Sequence, residues 1–152
     1  MNTSLQVTIA SRELLQKFIE NHTLEQLNTI PEGFKNNIIW NIGHVVVTQQ
    51  LLAYKLSGLS MMITDEMVSK YQKGSAPQGN VTQEEVDAIK SLLFTTITKT
   101  QEDLENGLFQ NYMEYTVSTA NFTLKSIEDA MQFNNFHEGI HIGIIMQLRK
   151  FV

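Results

Sequence analysis

Between Asn37 and Ser57 the chain is apolar on almost every side, with Ile38, Ile39, Trp40, Ile42, Val45, Val46, Val47, Leu51, Leu52 and Leu56 within one stretch. That stretch is too long for a strand, and a helix apolar all round is covered only when other helices surround it. Asn36 or Asn37 can cap its start and Gly58 can end it, so a central, largely buried helix running to Ser57 is expected. The β-branched run Val45-Val46-Val47 opposes helix only mildly, and the length and caps outweigh it. Whatever polar residue stands inside this element needs a reason to be there, and His44 is one such residue.

The rest of the chain supplies elements to surround it. A first helix is expected over Gln6 to Glu20, with Ile9, Leu14, Leu15, Phe18 and Ile19 on its apolar face. Asn21-His22-Thr23 interrupts it, with His22 read as an exposed loop residue. Thr23 with Gln26 can cap a short helical piece, and Ile30-Pro31-Glu32-Gly33 is a turn. A short helix is expected from Asp65 to Tyr71, capped by Thr64. A third long helix opens on Thr82-Gln83-Glu84-Glu85 and runs to about Asn106, where Gly107 ends it. Val86, Ile89, Leu93, Ile97 and Leu104 form its seam. Leu108 to Lys125, including Tyr115 to Thr119, reads as extended loop. A fourth helix starts at Ser126, with Asp129 completing the entry, and continues to Arg149 or Lys150.

These elements predict an all-α fold: a four-helix bundle with long connections and a short extra helix, as a single domain over 1–152. The connections around 59–81 and 107–125 exceed ordinary bundle loops and are expected to pack on the bundle. Met61, Met62 and Met67 are expected to act there as adaptable apolar filler.

Composition narrows the function. A net charge of -5 and the lack of any basic stripe argue against a nucleic-acid partner. Cysteine is absent, so no disulfide, thiolate metal site or cysteine nucleophile is available, which fits a reducing, cytoplasmic setting. The opening residues show no signal-peptide pattern, and no apolar run is long enough for a membrane partner.

The histidines carry the chemistry. In the fourth helix Ile127, Ala130, Asn134, His137, His141, Ile144, Leu148 and Phe151 keep an unbroken three–four spacing, which is the seam a bundle helix turns inward. A single core histidine is commonly satisfied by a backbone carbonyl. Two in one seam are harder to satisfy, since an unpaired buried polar group costs about 1–3 kcal/mol. His137 and His141, at i and i+4, project from one face, and His44 from the second helix can complete a three-nitrogen divalent-metal site with open positions. Histidines bind metal only when neutral, so affinity is expected to fall below about pH 6.

His137-Glu138-Gly139-Ile140-His141 also matches the zinc-protease pattern H-E-x-x-H. Its context is wrong, because no His, Asp or Glu follows His141 to act as third ligand and Ile144 stands where the metzincin glycine would be. Glu138 is assigned mainly to the solvated face, with a supporting role behind the metal ligands or a role as general base as the minor alternatives. It is the one weak candidate for a catalytic residue.

Three segments resemble the DinB-like superfamily of bacterial four-helix bundles, grouped with YfiT-type metal-dependent hydrolases. They are Asn36-Asn37-Ile38-Ile39-Trp40-Asn41-Ile42-Gly43-His44, then Tyr54-Lys55-Leu56-Ser57-Gly58, then Phe136-His137-Glu138-Gly139-Ile140-His141-Ile142-Gly143. The resemblance covers nearly the whole chain. It implies a divalent metal, zinc or nickel, on His44, His137 and His141, and no DNA binding. Relatives include thiol-dependent transferases and isomerases, so a metal-dependent transferase or hydrolase acting on a small-molecule substrate is one expectation. A non-catalytic metal or small-ligand binding module, or a dimerising structural bundle, is the alternative, and a homodimer stays open. Glu138, Tyr54, Tyr112 and Tyr115 are the candidate proton-handling groups.

Overall fold

The computed structural model describes residues 3–152 and is mostly helical. The first long helix, α1 (Thr3–Glu20), is followed by the short α2 (Leu24–Asn28). Next come α3 (Ile38–Gln50), prolonged by a π-helical turn over Leu51–Lys55, and the short α4 (Asp65–Tyr71). The long α5 (Gln83–Glu105), a small hairpin of β1 (Tyr115–Val117) and β2 (Phe122–Leu124), and α6 (Ile127–Leu148) complete the described chain.

Capping chemistry fixes most helix starts. Asn37, Thr64, Thr82 and Ser126 each accept a hydrogen bond from the backbone N–H three residues on, and Thr23 and Gln26 form a reciprocal capping box. After the π turn, Gly58 at φ 71° reverses the chain, a conformation that favours glycine.

α6 packs on both α1 and α3, and α5 packs on the same two helices. The expected central helix is confirmed: every residue of α3 except Thr48 is buried. One apolar cluster gathers Leu15, Ile42, Val46, Leu93, Ile145 and Leu148, and a second gathers Leu5, Leu52, Ile97, Leu124 and Met131. The long connections lie against these clusters. Met61 and Met62 pack on the second and Met67 on the first. Gln50 Oε1 accepts from the Met62 N–H at 2.8 Å, and Trp40 Nε1 donates to the Lys70 carbonyl at 3.2 Å.

Four expectations need correction. The 115–124 segment is not a plain loop, because Tyr115 pairs with Leu124 and Val117 with Phe122 in antiparallel register. Each strand is only three residues long, too short for alternation to be visible, and only Val117 and Leu124 point inward. The turn between them places Asn121 at φ 47°, which asparagine tolerates better than most residues. His22 is half-buried rather than exposed, with Nδ1 2.7 Å from the Phe18 carbonyl at the end of α1. Phe151 leaves the seam: α6 ends at Leu148, and Phe151 is 63% exposed. Glu138 is the fourth, taken up below.

Candidate metal centre

His44 lies on α3, and His137 and His141 lie one turn apart on α6, which packs against α3. One nitrogen from each ring falls within 4.8 Å of the other two. His44 is buried and the α6 pair half-buried. The His44 and His137 Nε2 atoms face one another at 3.1 Å.

Two of the three rings are aimed by a partner. His44 Nδ1 donates to the Tyr71 carbonyl at 2.6 Å. A carbonyl can only accept, so the proton is on Nδ1 and the neutral ring presents its Nε2 lone pair. Trp40 stacks on the same ring, with centroids 4.9 Å apart and planes 9° from parallel. Tyr71 can come this close only because position 43 is glycine. A Cβ there would meet the Tyr71 ring at 2.6–2.9 Å.

His141 Nδ1 donates to Asn41 Oδ1 at 2.8 Å. The amide orientation follows from its other end, since Asn41 Nδ2 donates to the Asn37 carbonyl and to Asn36 Oδ1, each at 2.8 Å. His141 therefore also presents Nε2. Such outer partners are what hold a ligating imidazole in one tautomer and orientation. The sequence pattern includes Asn41 and Gly43 without revealing these roles, and Tyr71 reads there only as the end of a helix.

The electrostatics keep the rings neutral. Burial pushes His137 down to about 2, helped by the charges of His141, His44, Arg12 and Lys73. Burial and then His44 push His141 down to about 4. His44 is also lowered, chiefly by burial, although its bond to the Tyr71 carbonyl opposes the shift. Neutral imidazole is the form that ligates metal.

A divalent ion fits these residues. Nitrogens around a tetrahedral zinc with bonds of about 2.0–2.1 Å lie roughly 3.3 Å apart, close to the 3.1 Å between His44 and His137. His137 Nδ1 is buried without a hydrogen-bond partner among the described residues. No carboxylate among the described residues joins the cluster.

Glu138 is not on a solvated face. Its side chain has no exposed surface, and Oε1 accepts from Arg12 Nε at 3.0 Å and Nη2 at 2.8 Å, and from Asn134 Nδ2 at 2.8 Å. The buried row of α6 runs Ile127, Ala130, Met131, Asn134, Glu138, Ile145, Leu148. It keeps Ile127, Ala130, Asn134 and Leu148 of the expected seam but passes through Glu138 and Ile145 in place of His137, His141 and Ile144, so the histidines sit at its edge. That edge borders a cleft of about 520 Å³, lined by all three histidines. Arg12 escaped notice, although it stands between Thr8, Leu15 and Ile19 on the buried face of α1. A lone arginine at a seam position was the available signal.

A model of the DinB superfamily matches residues 8–145. The chain belongs to the DinB superfamily. Among solved structures, a conserved protein from Enterococcus faecalis is similar at 14% identity and a TM-score of 0.65, over 99% of this chain and 95% of that one. At that identity the likeness speaks for the fold alone. No curated protein matches. No helix among the described residues of this DinB-superfamily chain is long and apolar enough to cross a membrane.

The remaining candidates divide. Tyr54 donates to Asp103 at 2.7 Å and Tyr112 to the Leu52 carbonyl at 3.0 Å, and neither lines the cleft. Tyr115 does line it and is 44% exposed.

Proposed function

We propose that α1, α3, α5 and α6 form the four-helix bundle of a single domain over 1–152, and that His44, His137 and His141 hold a divalent ion, zinc or nickel, for transfer chemistry on a small molecule. The convergence of three neutral imidazoles, two of them held by outer hydrogen bonds, at the wall of a cleft carries this reading. When bound, such an ion lowers the pKa of water or thiol in its open positions and polarises an attached group.

The chain's own residues do the rest. Tyr71 and Asn41 hold two ligand rings in the tautomer that offers Nε2. Trp40 keeps the His44 plane fixed while forming part of the cleft wall. Glu138 is fully buried, bonded through Oε1 to Arg12, and does not line the cleft, so it is not placed to take a proton from a cleft ligand. Among the described residues no Asp or Glu lines the cleft, which disfavours the metal-plus-glutamate arrangement of the H-E-x-x-H proteases. Transfer through a donor atom acidified at the metal needs no carboxylate base and suits the cleft better. Thr48 Oγ1, 3.4 Å from His44 Nε2, and Tyr115 are the hydroxyls beside it.

Elemental analysis of tag-free protein tests the reading, beside His44→Ala and His137→Ala variants. The expected result is one zinc or nickel per chain, reduced to background in both variants. Equal metal content in all three proteins would overturn it.

A further inference from the structure

The cleft has a charge opposite to that of the chain. The chain holds 16 acidic and 11 basic residues, yet the charged side chains lining the cleft, apart from the histidines, are Lys55 and Lys73. Neither has a carboxylate at ion-pair distance among the described residues. Lys73 is nevertheless held in place. Its Nζ donates to Ser118 Oγ and, at 3.3 Å, to Thr119 Oγ1, both in the hairpin turn and both lining the cleft. Hydroxyls that accept from an ammonium keep their own protons to donate, so the group is a cluster of donors. The rest of the wall is mainly apolar, with Trp40, Leu52, Val117 and Phe133 beside Asn36, Thr48 and Tyr115.

We propose that the ligand of this cleft is a small amphiphile whose anionic oxyacid group is bound by Lys55 and Lys73, with a donor atom directed at the histidines and an apolar body against Trp40 and Phe133. This rests on the metal-site reading and adds the substrate class. Positive charge without a competing carboxylate selects an anion, and hydroxyl donors beside an ammonium suit oxyacid oxygens. The apolar wall gives the remainder of the ligand a surface to cover.

Cobalt-loaded protein tests this, because thiolate binding to cobalt gives a near-ultraviolet sulfur-to-metal charge-transfer band. The probes are mercaptoacetate, 3-mercaptopropionate and 6-mercaptohexanoate, each against its primary amide. 2-Mercaptoethanesulfonate against 2-mercaptoethanol forms a sulfonate arm. The expected result is a preference for the anion of at least about fivefold in one or more pairs, the size charge-assisted bonds give at an open rim. In the Lys55→Gln/Lys73→Gln double variant it should fall below about twofold with cobalt still bound at the histidines. The larger of the carboxylate and sulfonate preferences identifies the oxyacid. Cobalt binding with no anion preference in any pair, or a preference that survives in the double variant, overturns this inference alone. Failure to bind cobalt at the histidines overturns the metal reading and this inference with it.

Discussion

Arg12 on α1 and Glu138 on α6 form an ion pair in which neither side chain has exposed surface, with two nitrogens of the guanidinium bonded to one carboxylate oxygen. Glu138 follows His137 directly, so the pair ties the helix that carries two of the histidines to a neighbouring helix. Removing one partner leaves the other charge buried, a cost of about 3–5 kcal/mol, whereas replacing both by apolar residues of similar size is often neutral. Glu138→Ala should therefore lose stability of that order in urea denaturation, and Arg12→Met/Glu138→Leu should recover most of it. A Glu138→Ala variant as stable as the parent would show that the pair does not hold the helices together.

Gly43 is a spacing residue for the site. A methyl there would have to displace the Tyr71 ring, which lies 2.6–2.9 Å from the Cβ position, and overpacking of this kind costs about 1–3 kcal/mol. Because the Tyr71 carbonyl aims His44, Gly43→Ala should also weaken zinc binding in a chelator competition. An unchanged zinc affinity with a lowered melting midpoint would confine Gly43 to packing.

Asn41 should matter to metal affinity more than to folding. Its Oδ1 is the acceptor that fixes His141, and loss of such outer partners typically weakens metal binding about 10–100-fold. Asn41→Ala is expected to fall in that range while its circular dichroism stays helical. Affinity within about twofold of the parent would contradict the role, against that 10–100-fold expectation.

Stripping the metal should lower the melting midpoint without unfolding the chain, since the apolar clusters already form a core. In the stripped protein, His137 and His141 titrate at about 2 and about 4 when folded, against 6.5 for an unperturbed imidazole. Between those values the unfolded chain binds more protons, so their contribution is complete above about pH 6.5 and is lost as pH falls toward the folded values. It also moves proton competition for the metal below the pH 6 expected from ordinary histidines. Melting of chelated protein should show a lower midpoint at pH 5 than at pH 7.5, with a shallower fall in His137→Leu. Equal slopes in the two proteins would remove the histidines from the pH response.

Much of this was legible because it rests on local rules. The caps at Asn37, Thr64, Thr82 and Ser126, and the spacing of His137 and His141, depend on residues a turn apart. What was missed is non-local. Glu138 looked solvated because its partner, Arg12, lies 126 positions away, and the α6 seam runs through Glu138 instead of through His137. The hairpin at 115–124 is too short to show alternation. The π turn at Leu51–Lys55, which contributes Leu51, Leu52 and Lys55 to the cleft, has no composition signal separate from the helix it extends.

X-ray absorption at the zinc edge of reconstituted protein tests the central claim most directly. The expected result is three imidazole nitrogens at about 2.0–2.1 Å with the remaining coordination supplied by exchangeable oxygen donors. One imidazole or none, or a spectrum unchanged in the His44→Ala/His137→Ala/His141→Ala variant, would contradict the assignment of these histidines as the metal site.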